Sequence, residues 1–498
     1  MGFLFLTSGL FLGWSLGAND HGNIFGAAVS TKMMKFKFAA LIGSIFVILG
    51  AVSEGSGGTS TLNSLGSVNA AAGTFTVALA TALAVFLMTR LKLPVSTSQA
   101  IVGAIIGWNF FAEMLTDYSS LLKIVTTWVM APVLAAIFAF LLYHLFRFWL
   151  NRSRLHLLHL DNYNRWGLII VGAFGAYSLG ANNIANVVGI FVNISPFKDI
   201  TLFNLIHISG LQQLYFVGGI SVAVGIYTYS KKVIMTVGSD LYKLSPLTGL
   251  IVVLAESLVL YLFGSRGLQH LLLSLNLPAI PLVPVSATQA VIGAVLGIGL
   301  IKGGRNINFN VLSRISVGWL TSPVLAAVIA FVLLFFVQNV FDQTVVSPIT
   351  FRFHKAEMME LEKRGIDLDH LTEVNGRSYD SPRALRRVLN GIEHLSRKDK
   401  ITMVQVSEVQ SLKIDYARLQ QKLRPQTFTP VQWENLQTLD GKAFLHMWQL
   451  EDKLMELSDE WSYKPKSNKT QIFNDKLKDK YNLLFNESRI PPEATEQD

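Results

Sequence analysis

Two short polar motifs lie inside apolar stretches of the chain, and their side chains have the chemistry to bind a cation. Residues 17–26 and 180–189 both begin Gly-Ala-Asn, and we call them the GAN boxes. Polar groups need partners in an apolar environment, and oxygen-rich clusters on broken helices suit Na⁺. The predicted cation-binding residues are Asn19, Asp20, Asn23, Asn182, Asn183 and Asn186.

Three acidic or titratable positions bear on this prediction. Asp20 is the strongest candidate, because a carboxylate at membrane depth usually has a function and no Lys or Arg lies in its own span. Glu256 is a possible coupling residue, either as a cation ligand or proton carrier or by hydrogen bonding to Ser257 or a neighbouring helix. His21 could titrate near neutral pH, although a structural role is favoured. The alternative for the GAN boxes as a whole is that their amides only join helices.

A second pair of motifs has the chemistry to bind an anion. Residues 94–107 and 284–297 both begin Pro-Val-Ser, agree at 8 of 14 positions, and are called the PVS boxes. Proline suits the first turn of a helix, where free backbone N–H groups and the positive end of the dipole face a ligand. A tetrahedral oxyanion would fit between two such helices, whereas the alternative is an ordinary helix cap. The predicted anion-binding residues are Ser96, Thr97, Ser98, Gln99, Ser286, Ala287, Thr288 and Gln289.

The elements that must position these residues are predicted to be membrane helices. The chain has 498 residues, 51% of them hydrophobic, and a mean hydropathy of +0.41, which is too apolar for an ordinary soluble protein. Two shorter apolar runs begin at the prolines of the PVS boxes. Eight longer runs approach the length of a spanning helix, at residues 3–19, 38–53, 73–91, 121–145, 166–192, 203–228, 246–264 and 316–341.

Charge is distributed very unevenly along the chain. Residues 351–498 hold 24 basic and 24 acidic residues of the totals of 42 and 33, so the first 350 residues carry the whole net charge of +9. A nucleic-acid partner is therefore disfavoured, because the soluble part is neutral overall. With the N-terminus outside, 15 of the 18 basic residues in the membrane part fall on the cytoplasmic side, as the positive-inside bias predicts. The absence of cysteine excludes disulfides and thiol catalysis.

Internal duplication gives the domain organisation. The GAN box, the PVS box and a third motif at residues 128–136 and 319–327 recur in the same order. The predicted fold is an all-α polytopic membrane protein with two inverted repeats of about five crossings, broken or re-entrant helices, and a C-terminal helical soluble domain. The predicted segments are a first repeat (1–146), a cytoplasmic connecting loop (147–165), a second repeat (166–345), the soluble domain (351–490) and a disordered tail (491–498).

The paired boxes, in this order, resemble the inorganic phosphate transporter family of cation-coupled symporters over residues 1 to about 341. The resemblance implies phosphate at the PVS boxes and Na⁺ or H⁺ at the GAN boxes. The function expected from it is symport of inorganic phosphate by a multi-pass protein of the cell (inner) membrane, with lipid as its surroundings. No enzymatic activity is expected, and no cofactor besides Na⁺ as a possible coupling ion.

Three departures from the family pattern leave alternatives open. The family usually has an aspartate where this chain has Asn183, histidine where it has Gln99 and Gln289, and a hydroxyl where it has Ala287. The first change puts the coupling stoichiometry in doubt, and the others alter the anion site. A sulfate permease of the same fold is therefore the alternative function. An anion channel is less favoured because it needs a continuous hydrated pore.

The C-terminal region contains no phosphate loop, metal-ligand set or catalytic triad. Its apolar residues recur with helical spacing, which predicts a small helical domain. We expect this domain to serve regulation or oligomer contact, the alternative being that it only stabilises the protein, and a homodimer is a possible assembly.

Overall fold

The computed structural model describes residues 2–66, 68–91, 95–114, 116–153, 156–202, 206–237, 245–304, 309–368, 371–392, 395–423, 425–465 and 467–490. Pro94 of the first PVS box and the predicted tail at residues 491–498 lie outside these ranges. The chain divides into two compact units. The first comprises Met1–Leu271 and Ala279–Val346, and the second comprises Leu272–Pro278 and Ser347–Asp498.

The regular secondary structure described in the first unit is helical apart from one antiparallel pair of short strands, β1 (Ile200–Leu202) and β2 (Ile206–Ile208). A 3-10 helix, Gly189–Ile194, follows the second GAN box. The helices are α1 (Gly2–Ser30), α2 (Phe36–Glu54), α3 (Ser56–Leu65), α4 (Ala71–Arg90), α5 (Thr97–Phe111), α6 (Tyr118–Arg152), α7 (Leu157–Val188), α8 (Gly210–Thr228), α9 (Ser230–Val237), α10 (Pro246–Gly264), α11 (Arg266–Ser274), α12 (Ala287–Ile301) and α13 (Phe309–Asn339).

The lengths and hydropathies of these helices make the chain a multi-pass membrane protein. In the part of the chain that the structure describes, 7 helical segments are long and apolar enough to cross a membrane, namely α2, α4, α6, His159–Ile194, α8, α10 and α13. Helices α5 and α12 have 15 residues each, which is roughly 22 Å and shorter than a hydrocarbon core of about 30 Å. Both follow non-helical backbone, as expected for re-entrant segments.

Helices of the two halves pack against each other in reciprocal pairs. A Cβ atom added to Gly103 on α5 would lie 2.1 Å from the Pro323 carbonyl oxygen on α13, and one added to Gly293 on α12 would lie 2.1 Å from that of Pro132 on α6. Each PVS helix therefore rests on the proline-containing helix of the other half. The recurring glycines of the PVS boxes serve close helix packing, as their four-residue spacing predicts.

The expectation that the GAN boxes lie on broken helices is wrong. The first lies within α1, and the second ends α7 and continues into the 3-10 helix. Their glycines serve close approach instead, because a Cβ on Gly17 would lie 2.0 Å from the Val222 carbonyl oxygen and one on Gly180 would lie 2.1 Å from that of Val47. The stretch 147–165, predicted as a loop, is also largely helical, since α6 and α7 extend beyond the apolar runs that hydropathy detects.

The second unit contains short strands as well as the predicted helices. Strand β3 (Phe351–Arg352) pairs with β4 (Ser378–Tyr379), and β5 (Leu412–Lys413) pairs with β6 (Ala443–Phe444). These pairs are too short to give a periodic signal in the sequence. The helices are α14 (Lys355–Lys363), α15 (Pro382–Gly391), α16 (Arg397–Ser407), α17 (Tyr416–Lys422), α18 (Pro430–Thr438), α19 (Met447–Leu457), a 3-10 turn (Asp459–Trp461) and α20 (Asn468–Ser488).

The second unit contains a buried pair of polar side chains. His446 Nε2 lies 2.7 Å from Glu357 Oε1, and both side chains are almost fully buried. Burial alone would raise the pKa of Glu357, but hydrogen bonds from its own backbone, from His446 and from the His354 backbone keep the pKa below its usual value. This pair lies among structural contacts, and the candidate functional residues are all in the first unit.

Candidate functional site

The PVS boxes form the N-termini of α5 and α12 in the same way. The Ser96 hydroxyl oxygen accepts a hydrogen bond from the Gln99 backbone N–H at 3.2 Å, and Ser286 accepts one from Gln289 at 3.2 Å. Each serine caps its helix and still has its own O–H to donate. The boxes begin helices, as predicted, but Pro284 precedes the capping Ser286 and does not lie in the first turn of α12.

Unpaired donors remain at both helix starts. The backbone N–H groups of the first turn, at Thr97 and Ser98 and at Ala287 and Thr288, have no carbonyl partner within their helices. The Thr97 hydroxyl is buried without a hydrogen-bond partner among the described residues. Such donors, at the positive end of a helix dipole, suit an anion. Ala287 can contribute only its backbone N–H.

The two helix starts are joined by reciprocal hydrogen bonds. The Ser98 hydroxyl lies 3.1 Å from the Val285 carbonyl oxygen, and the Thr288 hydroxyl donates to the Val95 carbonyl oxygen at 3.1 Å. These four residues occupy matching positions in the two boxes. Because their hydroxyl protons are already committed, Ser98 and Thr288 hold the helix starts together.

The first asparagine of each GAN box holds the PVS box of its own half. Asn19 Nδ2 donates to the Val95 carbonyl oxygen at 3.2 Å. Asn182 donates to the Val283 carbonyl oxygen at 3.1 Å and accepts from the Val285 N–H at 2.7 Å. These backbone partners were not predicted, because a valine carbonyl carries no signal of residue type. Only the duplication could have pointed to them.

The following GAN positions differ between the halves. Asp20 Oδ1 accepts a hydrogen bond from Asn19 at 2.6 Å. Asn183 Oδ1, at the matching position, lies 3.2 Å from the Ser98 hydroxyl and 2.9 Å from Asn186 Nδ2. Asn186 also donates to the Ser98 oxygen at 2.8 Å. The second GAN box therefore contacts the first PVS box through hydrogen bonds between side chains.

The remaining predicted residues lie outside this network. Asn23 is half-buried, and its amide nitrogen has no hydrogen-bond partner in the described part of the chain. The buried side-chain oxygens of Gln99 and Gln289 likewise have none there. The His21 ring packs on Phe25, with ring centres 5.0 Å apart, and neither ring nitrogen is bonded within the described ranges.

Glu256, the other predicted coupling residue, is isolated from polar partners among the described residues. It is 0% exposed, and neither carboxylate oxygen has a hydrogen-bond partner among the described residues. Ser257, the neighbour considered as its partner, donates instead to the Val253 carbonyl oxygen. Asp20, the other acid among the predicted residues, is likewise buried, at 3% exposed. Oxygens of this kind can hold Na⁺.

Comparison with known proteins agrees with this architecture. A model described as the phosphate transporter family matches residues 16–269 and 275–446. A protein of Methanocaldococcus jannaschii named "putative phosphate permease" is 28% identical over 66% of this chain and 95% of its own length. A protein of the same name from Haemophilus influenzae is 24% identical over 67% of this chain and 96% of its own length.

One solved structure is also similar. A protein entitled "the sodium-dependent phosphate transporter" is 21% identical, with a TM-score of 0.55, over 67% of this chain and 99% of that chain. At this identity the likeness shows a shared fold. About a third of the present chain lies outside the matches to these two permeases and to the solved structure.

Proposed function

Since the chain belongs to the phosphate transporter family, we propose that it is a secondary active transporter that carries inorganic phosphate together with Na⁺. A transport role and the absence of enzymatic chemistry follow from the family. The name of the structural relative supports sodium as the coupling ion. The observation that carries the proposal is the joining of two helix N-termini, each with free donors, by the reciprocal Ser98 and Thr288 bonds.

The donor set supports a tetrahedral anion between α5 and α12. The O–H groups of Ser96, Thr97 and Ser286 and the free backbone N–H groups would donate to its oxygens. Because the donors come from both halves, the anion would be held only when the halves are together. Carriers built from duplicated halves bind substrate near mid-membrane, where their repeats meet.

The acceptor set favours phosphate over sulfate. Phosphate keeps at least one proton at neutral pH and can donate it, whereas sulfate has none to donate. The buried oxygens of Gln99 and Gln289, in the first turns of α5 and α12, are acceptors without a hydrogen-bond partner in the described ranges. A site that presents acceptors to a ligand discriminates against an analogue without the matching proton, because the acceptor is then left unpaired.

The reciprocal helix pairing supports a carrier over a channel. Each half contributes α5 or α12 to the other half's packing, so movement of one half would change both helix starts together. We infer that the halves are inverted repeats and that their relative motion gives alternating access. The candidate binding residues on α5 and α12 are at most 4% exposed, which suits an occluded site better than an open pore.

Reconstitution in liposomes tests the proposal. We expect an inward Na⁺ gradient to drive saturable uptake of radiolabelled phosphate above equilibrium, and sulfate to compete weakly. A pH gradient without Na⁺ should drive little uptake. Sulfate uptake driven by protons would contradict the proposal, and so would phosphate flux that never exceeds equilibrium. Empty liposomes give the background.

A further inference from the structure

The third duplicated motif begins Trp-x-x-x-Pro, at residues 128–132 and 319–323, and only its prolines have entered the contacts described so far. Resting on the proposed function, we propose that Trp128 and Trp319 determine the specificity of the anion site. Their indole N–H groups donate to the oxygens of the transported anion, one from each half. The anion is then held by the third motif as well as by the PVS boxes.

Both indole nitrogens are buried donors without an acceptor. The side chains of Trp128 and Trp319 are half-buried, but their Nε1 atoms are fully buried and have no hydrogen-bond partner among the described residues. An indole N–H can only donate, and a buried donor normally has a partner. Tryptophans of membrane proteins commonly direct this group to the lipid–water interface, which a buried nitrogen does not reach. Each half therefore needs an acceptor inside the protein.

The glycine contacts of the PVS helices give the direction of the helices that carry these tryptophans. A Cβ atom added to the first PVS glycine of α5 or α12 would lie 2.1 Å from a proline carbonyl oxygen. One added to the glycine four residues later would lie 2.5 or 2.7 Å from the carbonyl oxygen of an alanine four residues after that proline. The paired helices are therefore parallel and in close contact. The pairs are Gly103 with Pro323, Gly107 with Ala327, Gly293 with Pro132, and Gly297 with Ala136.

One helical turn before these contacts, each tryptophan is level with a glutamine of a PVS box. Trp319 precedes its proline by four residues and Gln99 precedes its glycine by four, so both are on the contacting faces of α13 and α5. Trp128 on α6 and Gln289 on α12 are related in the same way. Side chains on a helix lean towards its N-terminus. Because the paired helices are parallel, we expect each indole to lean towards the PVS box and the proposed anion position.

Each helix pair thus has an unpaired donor and an unpaired acceptor on its contacting faces. The side-chain oxygens of Gln99 and Gln289, like the indole nitrogens, are buried without a partner in the described ranges. Phosphate matches both, because its oxygens accept from the indole and its proton donates to the glutamine. The donor matters most beside α12, where Ala287 replaces the hydroxyl that Thr97 provides on α5. Trp128, on the helix packed against α12, should therefore contribute the larger share.

Uptake kinetics of matched variants in proteoliposomes test the inference. Trp128→Phe and Trp319→Phe remove the N–H and keep an aromatic ring. We expect the KM for phosphate to rise about tenfold in the first and about fivefold in the second, with less than about a twofold change in maximal rate. Trp108→Phe is the control, since Trp108 Nε1 donates to the Val345 carbonyl oxygen at 3.2 Å. It also loses an N–H but should keep the KM. An unchanged KM in both Trp128→Phe and Trp319→Phe would overturn the inference, whereas absence of Na⁺-driven uptake by the unaltered protein would refute the proposed function.

A second measurement observes the indoles directly in the full chain. The nine tryptophans are labelled as fluorotryptophan, and ¹⁹F NMR spectra of the protein in detergent with Na⁺ are recorded during titration with inorganic phosphate. The resonances that Trp128→Phe and Trp319→Phe lack should shift and saturate with phosphate, whereas that of Trp108 should not move. If a variant fails to fold, at least two resonances of the unaltered protein should still shift. A spectrum that does not respond, in a protein that takes up phosphate, would overturn the inference.

Discussion

The two membrane halves make almost the same contacts at the N-termini of α5 and α12. They differ in the charge of one GAN-box residue. In both, a serine caps the PVS helix, a hydroxyl two positions later contacts the valine carbonyl of the other half, and a glycine of the PVS helix lies against a proline carbonyl. Asp20 and Asn183, by contrast, occupy matching positions with different charges. The scaffold of the duplication is thus retained while its electrostatics have diverged.

This comparison separates two kinds of constraint. Contacts to backbone atoms depend on the size of the side chain and on the register of the helices. A substitution in the PVS helix of one half therefore breaks a contact with the other half. Side-chain charge at Asp20 or Asn183 can change without altering those contacts, since Asp and Asn have almost the same shape. Function is therefore free to become asymmetric on a symmetric framework.

The largest expected effect concerns the helix-packing contacts that both halves make. Gly103→Ala and Gly293→Ala each place a Cβ atom 2.1 Å from a backbone carbonyl oxygen, so the paired helices must separate. We expect each to destabilise the protein by about 3 kcal/mol and to abolish most uptake. Gly26→Ala is the control, because a Cβ there would meet no atom within 4 Å. Thermal unfolding in detergent measures all three, and a large difference between Gly103→Ala and Gly293→Ala would break the reciprocity.

The next effect concerns the caps. Ser96→Ala combined with Ser286→Ala removes two hydroxyl donors at the anion position, and we expect the KM for phosphate to rise roughly tenfold to a hundredfold. Thr321→Ala is the matched control, since in the described part of the chain the Thr321 hydroxyl bonds only to carbonyls of its own helix. An unchanged KM in the double variant would show that the caps do not contact the anion.

The smallest expected effect concerns hydrogen bonds that differ between the two halves. Among the described residues, Ser98 contacts Val285, Asn183 and Asn186, whereas Thr288 has one side-chain bond, to Val95. We therefore expect Ser98→Ala to destabilise the protein by about 2 kcal/mol and Thr288→Val by about 1 kcal/mol. Thermal unfolding of the two variants measures the difference. Equal losses would mean that the bridge through Asn183 adds nothing to stability.

Much of this architecture could be predicted from the sequence. Hydropathy and the repeated motifs give a duplicated membrane protein, and Pro-Val-Ser followed by polar residues predicts two helix starts, as observed. The partners of these helices could not be predicted. Gly103 lies against Pro323, more than two hundred residues along the chain, and nothing in either sequence specifies the other.

Two errors in the prediction have a common physical origin. The GAN boxes were associated with broken helices, yet Gly17 and Gly180 lie within α1 and α7 and allow close approach of neighbouring helices. Glycine permits both outcomes, and tertiary packing decides between them. The carbonyls of Val95 and Val285 were missed because backbone groups are present at every residue and so leave no trace in composition or periodicity.

The reciprocal bonds between Ser98 and Val285 and between Thr288 and Val95 also have a consequence for biogenesis. Ser286 is synthesised 190 residues after Ser96. At roughly 5 to 20 residues per second, α5 waits about 10 to 40 s before its partner exists. During that time the hydroxyls and carbonyls of the first PVS box must be satisfied by lipid headgroups, water or the insertion machinery. The proposed anion site therefore requires both halves, and the nascent chain can form it only after α12 has been synthesised.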